Sequence, residues 1–202
     1  VAIGDHLATR KISNAENTIN ELYKHYLDFY PHLVSQQENR KKIRAIIDEH
    51  FEFIKSLLYK PFTSLHSREL LAQGELMSTK MFHYYLHEIG IKSVLLPALD
   101  FMAINEDEEP NMNFIKKNLS GLLAQHTDCD LFITQGYICL NATNEIDNLK
   151  RGGSDYTATL IGAAIEAEVV QIWTDIDGMH NNDPLTFTRW FLHPRPIFVP
   201  AP

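Results

Sequence analysis

Two adjacent glycines, Gly152 and Gly153, flanked by Arg151 and by Ser154-Asp155-Tyr156, constrain this chain more than any other feature. A helical pattern of small residues, Thr157 to Ala167, follows them. Next come the apolar run Val169-Val170-Gln171-Ile172-Trp173 and the acidic stretch Thr174-Asp175-Ile176-Asp177-Gly178. The order predicts a glycine turn, a helix, a buried strand and an acidic loop at the strand's carboxyl end. Val169 to Trp173, nearly continuous in apolar character, is expected to be a central strand covered on both faces. Paired glycines let the backbone approach a ligand, and the amides that open a helix point at anions. Arg151 adds a planar fork suited to carboxylate or phosphate. Open α/β sheets place ligands beyond the carboxyl ends of their strands. The junction reads as a site for an anionic substrate and a nucleotide.

The rest of the chain alternates helical and strand-like patterns. Ser13-Asn14-Ala15-Glu16 has the spacing of a capping box, and Ile19, Leu22, Tyr23, Tyr26, Leu27 and Tyr30 recur behind it at helical period. Pro31 is expected to stop that helix. A second helix carries Ile43, Ile46, Ile47, Phe51, Ile54, Leu57 and Leu58 on one face. Residues 13–60 thus predict a helical hairpin that serves packing. Leu65 to Glu88 is helical again, with Gly74 and Glu75 interrupting an otherwise apolar or neutral middle. A strand over Ser93–Leu96, a helix over Asn111–Gln125 and a strand over Leu131–Thr134 follow. Asn105 to Pro110, with four acidic residues, reads as an exposed loop without chemistry, and Cys139 to Leu149 as a polar loop. Alternation of this kind predicts an α/β fold, a three-layer α/β/α sandwich with a largely parallel sheet.

Bulk properties narrow the function. A chain of 202 residues suffices for one domain, and a net charge of −8 argues against a nucleic-acid backbone as partner. The two cysteines, Cys129 and Cys139, are too few for a disulfide framework and read as buried thiols in a reducing, cytoplasmic setting. No run is long enough to span a bilayer. His83 and His87 have the spacing of a metal pair, but no third ligand stands out, and no metal site is assigned to them. There is no Walker lysine motif, Rossmann fingerprint or nucleophile elbow.

Four blocks, taken in order, carry a family resemblance: Gly74-Glu75-Leu76-Met77-Ser78-Thr79, Ile133-Thr134-Gln135-Gly136-Tyr137-Ile138, Arg151 to Tyr156, and Ile172 to Gly178 with Asp183-Pro184. Together they resemble the signature blocks of aspartokinases, within the amino-acid kinase superfamily. The resemblance implies the amino-acid kinase fold. It also implies transfer of the ATP γ-phosphate, with Mg²⁺, to the side-chain carboxylate of L-aspartate. That reaction is the first step toward lysine, threonine and methionine. The alternatives are a non-catalytic amino-acid or nucleotide sensor on the same fold, and a kinase for a related acidic amino acid.

Roles follow for individual residues. Arg151 is expected to clamp the substrate α-carboxylate, against the alternative of a loop arginine paired with an acidic neighbour. Glu75 would meet the α-ammonium, against that of a plain helix-surface glutamate. Gly152, Gly153, Ser154 and Tyr137 are expected to line the substrate or the migrating phosphoryl group. The resemblance gives Asp155 an organising role in catalysis; capping the following helix is the other reading. Thr174 and Asp175 match nucleotide-holding positions; Asp177 and His180 are assigned to the nucleotide beside them, Asp177 against the alternative of shaping the turn before Gly178. Mg²⁺ is expected to be held by phosphates and water rather than by protein ligands.

The departures are equally specific. The Lys-Phe-Gly-Gly-Thr turn that opens aspartokinases is missing, His180 stands for a tyrosine, and Trp190 replaces a nucleotide-contacting lysine ahead of Leu192-His193-Pro194. The carboxy-terminal regulatory modules are missing too. Residues 1–184 are therefore expected to form an incomplete catalytic domain, with 185–202 a poorly matched remnant. The 202 residues alone are not expected to turn over, and the full protein is expected to be a homo-oligomer.

Overall fold

The computed structural model describes residues 1–173. Its helices are α1 (Ala2–Ala8), α2 (Ile12–Leu33), α3 (Gln37–Ser56), α4 (Ser64–Glu88), α5 (Met112–Leu123) and α6 (Gly153–Ala164). Two small sheets complete it. β1 (Val94–Leu95) pairs in parallel with β2 (Phe132–Ile133), while β3 (Ile138–Leu140) and β4 (Ile146–Asn148) form an antiparallel hairpin in which Ile138 faces Asn148. Among the described residues, no helix is long and apolar enough to cross a membrane.

Helix α4 organises the molecule because it is buried on two sides. Leu70, Met77 and Met81 face a helical core built from Ile19, Ile43, Ile47 and Phe51. Ala72, with Leu76 packed beside it, faces a second core of Phe101, Met102, Ile115, Ile138 and Leu160. A helix buried this way has no single apolar stripe, which is why its pattern reads as broken around Gly74 and Glu75. A true capping box opens it: the Thr63 hydroxyl accepts from the His66 amide at 3.3 Å, and the His66 ring answers to the Thr63 amide.

Several expectations change at this level. The Ser13 box does not form, because α2 already starts at Ile12 and Ser13 lies inside it. Arg10, with φ of 55°, closes α1, a helix the sequence does not announce, and Lys11 becomes the cap of α2. Pro31 does not end α2, which runs on to Leu33. Arg40 makes the extension possible, donating to the carbonyls of Pro31 and Val34, each at 2.9 Å. Cys139–Leu149 is not a plain loop but the β3–β4 hairpin, whose turn is held by the Asn141 side chain accepting from the Thr143 and Glu145 amides. Val169 to Trp173 is not a buried central strand. It has no strand pairing among the described residues, and Trp173 is 89% exposed.

Glu88, at the end of α4, pins the start of α3. Its carboxylate accepts from the Ser35 amide and hydroxyl, from the Gln36 amide and from Asn39 Nδ2 at 3.1 Å. Those donors hold its pKa down to about 2. A depressed carboxylate contributes stability above its unfolded pKa and loses it as pH falls through the folded one. The protein is therefore expected to lose stability between about pH 4.5 and about pH 2, and Glu88→Gln should flatten that part of a denaturation-versus-pH curve. An unchanged acid limb in the variant would show that Glu88 does not anchor α3.

Candidate active site

The segments that flank the hairpin deliver one wall of a cleft and α4 delivers the other. Arg68 of α4 ties the two together, donating to the Ile146 carbonyl at 3.0 Å and pairing with Asp147 at 3.5 Å. From β4 the chain enters a turn in which the Gly153 amide donates to the Lys150 carbonyl at 3.1 Å. Gly152, with φ of 76°, is the N-cap of α6. A left-handed cap of this kind costs glycine little and a branched residue much. The Asp155 side chain does not cap the helix; it lies in the first turn, and no side chain caps α6.

Residues from all these elements line a cleft of about 410 Å³. Glu75 comes from α4, Tyr137 from the entry to β3, and Arg151 to Asp155 from the α6 turn. Val1, Leu71 and Lys150 complete the lining. Sequence reasoning missed Lys150, which lies just outside the Arg-Gly-Gly motif. Of the other site candidates, Thr174, Asp175, Asp177 and His180 lie outside the described residues.

Close packing fixes the turn. Thr157 Oγ1 accepts from the Tyr137 amide at 3.0 Å and donates to the Gly153 carbonyl at 2.7 Å, so one hydroxyl joins β3 to α6. A Cβ on Gly136 would meet the Ser154 backbone at 3.1 Å, and one on Gly153 would meet the Tyr137 ring at 2.9 Å. Gly153→Ala is therefore expected to destabilise the protein by about 1–3 kcal/mol, the usual cost of overpacking. Chemical denaturation checks this; a neutral result would show that Tyr137 yields freely.

The cleft carries charges of both signs. The Glu75 carboxylate is half-buried, and burial pushes its pKa up. No side chain among the described residues pairs with it. Arg151 is exposed, and its guanidinium likewise makes no hydrogen bond among the described residues. The cleft thus presents, on opposing elements, an anion and a cation that have no side-chain partner among the described residues. Cys139, by contrast, is buried in β3, where burial pushes its thiol up to about 12.

Residues 2–189 match the amino acid kinase family. The chain belongs to that family. Within it, the lysine-sensitive aspartokinase 3 of Escherichia coli (strain K12) is 35% identical over 119 residues, 57% of this chain and 26% of that protein. Aspartokinase 3, chloroplastic, of Arabidopsis thaliana is 34% identical over 156 residues, 69% of this chain and 27% of that protein. The crystal structure of E. coli aspartokinase III in complex with aspartate and ADP matches with a TM-score of 0.77 at 24% identity, over 95% of this chain and 44% of that one. The fold is therefore the α/β fold of the amino acid kinases, as the sequence blocks imply. This family member spans about a quarter of the length of the curated relatives it matches.

Proposed function

We propose that the cleft binds free L-aspartate, and that the protein carrying it phosphorylates the aspartate side-chain carboxylate with ATP. The observation that carries this reading is that one cleft holds both Glu75, an anion, and Arg151, a cation, neither with a side-chain partner among the described residues. A free α-amino acid supplies the complement of both. Arg151 takes the α-carboxylate through a bidentate fork, and Glu75 takes the α-ammonium. The amides opening α6 and the Ser154 hydroxyl then face the transferring phosphoryl group, whose oxygens carry the negative charge of the transition state.

In the reaction a carboxylate oxygen of aspartate attacks the γ-phosphorus, and the bond to the β,γ-bridging oxygen breaks. ADP leaves, aspartyl phosphate forms, and no proton need move, because the attacking carboxylate is already ionised at neutral pH. Asp155, exposed in the first turn of α6, serves as an organiser of cationic groups near the phosphates rather than as a base. Thr174, Asp175, Asp177 and His180 are proposed to hold the nucleotide, and Mg²⁺ would ride on its phosphates. The similarity to aspartokinases, one of them solved with aspartate and ADP, supports this reading. On this reading the reaction stands at the head of aspartate-derived amino-acid biosynthesis.

Calorimetric titration with L-aspartate, paired with an ATP- and Mg²⁺-dependent aspartyl hydroxamate assay on the full protein, tests the proposal. Saturable aspartate binding together with hydroxamate formation is expected. Binding without turnover in the full protein would make it a sensor, and turnover with glutamate in place of aspartate would change the substrate.

A further inference from the structure

Three of the residues lining the cleft hold left-handed backbone: Tyr137 at φ of 70°, Lys150 at 61° and Gly152 at 76°. Left-handed residues other than glycine are uncommon, and they persist where their surroundings hold them in place. Lys150 is held on both sides. Its amide donates to Asn148 Oδ1 at 3.0 Å, and its carbonyl accepts from the Gly153 amide. Its side chain is held as well, by Glu108, whose carboxylate lies 3.4 Å from the Lys150 ammonium. Glu108 is itself left-handed, with φ of 61°, and it belongs to the acidic loop between Asn105 and Pro110. In that loop the Asn105 side chain accepts from the Asp107 and Glu109 amides, which sets the turn that presents Glu108.

We infer that Lys150 is a specificity-determining residue, which binds the second anionic group of a dianionic ligand in the cleft, and that Glu108 is the counter-ion it leaves on binding. The inference rests on the amino-acid reading of the cleft and extends it. Arg151 and Glu75 recognise what all α-amino acids share, so they cannot separate aspartate from asparagine. That separation needs a further cation, and Lys150 supplies one in the cleft lining next to Arg151. The Lys150–Glu108 pair is exposed, with 60% and 66% of the two side chains accessible. Such a pair is weak, so a ligand carboxylate held by several donors displaces Glu108 at small cost. The acidic loop, far in sequence from the glycine turn, then sets how strongly the cleft prefers two negative charges over one. Glu108 also rejects ligands too weakly charged to displace it.

The test measures dissociation constants for aspartate, asparagine and succinate on the protein and on Lys150→Met, Glu108→Gln and the double variant. Lys150→Met is expected to weaken aspartate and succinate about fivefold to tenfold and to leave asparagine within twofold, an effect at the lower end of those for hydrogen bonds to charged groups because the site is exposed. Glu108→Gln should strengthen both dianions a few-fold, and that gain should vanish in the Lys150→Met background. Equal weakening of aspartate and asparagine by Lys150→Met would overturn the inference, as would a Glu108→Gln gain that survives without Lys150. If succinate binding depends on Lys150 while aspartate does not bind, the Lys150 assignment stands and the aspartate reading falls. Failure of both dianions to bind the unaltered protein sinks both.

Discussion

Replacing Arg151 with alanine is expected to weaken aspartate binding about tenfold to hundredfold while leaving nucleotide affinity unchanged. The size follows from the interaction lost. Hydrogen bonds to a charged group are worth about 1.5–3 kcal/mol, and each 1.4 kcal/mol is about a factor of ten in affinity. The exposed guanidinium has no hydrogen-bond partner among the described residues, so truncation removes a ligand contact without leaving a buried charge behind. Stability should therefore change little. Arg151→Lys should recover only part of the loss, because an ammonium keeps the charge but not the planar fork. Calorimetry with aspartate and, separately, with ADP reads the two arms. Lost ADP affinity with aspartate binding intact would reverse the proposed role of Arg151.

Arg151 and Glu75 could each be singled out from the chain because each carries a local anomaly, and the family resemblance linked the two. Glu75 interrupts a buried helix, and Arg151 precedes a glycine pair, so either residue asks for a reason where it stands. The helices α4 and α5 and the short strands β1 and β2 were legible for the same cause, since periodicity and caps are written within each segment. What depends on distant partners was not. Val169 to Trp173 has the composition of a central strand, yet a strand exists only when a neighbour supplies the ladder, and composition does not name the neighbour. The β3–β4 hairpin was hidden by the reverse effect. Its strands are three residues long and include Asp147 and Asn148, which read as turn chemistry. Asp147 is nonetheless buried, because Arg68 reaches it from α4, far away in the sequence. Lys150 went unnoticed because its importance lies in Glu108, on a loop that looked inert.

Glu75→Gln should have opposite effects on binding and on stability. On binding, the variant loses the charge proposed to meet the α-ammonium, and aspartate affinity is expected to fall about tenfold or more, as for other charge-assisted contacts. On stability, the substitution should help at neutral pH. Burial raises the Glu75 pKa, so the folded state holds the proton more tightly than the unfolded chain does. A group raised in this way favours folding below its unfolded pKa and loses that contribution as pH rises through the folded one. At pH 7 the half-buried carboxylate, without a side-chain partner among the described residues, therefore costs stability, and glutamine, of nearly the same shape, removes the cost. The advantage of the variant should disappear on acidification below the ordinary glutamate range, where both side chains are neutral. Aspartate binding gives an independent view of the same titration. In the unaltered protein it should weaken on acidification while the pH is still above the ordinary carboxylate range, and Glu75→Gln should abolish that limb. Denaturation midpoints and aspartate dissociation constants across pH decide the matter. A variant that is less stable at pH 7, or one that binds aspartate as well as before, would show that Glu75 is a structural carboxylate and not the partner of an ammonium group.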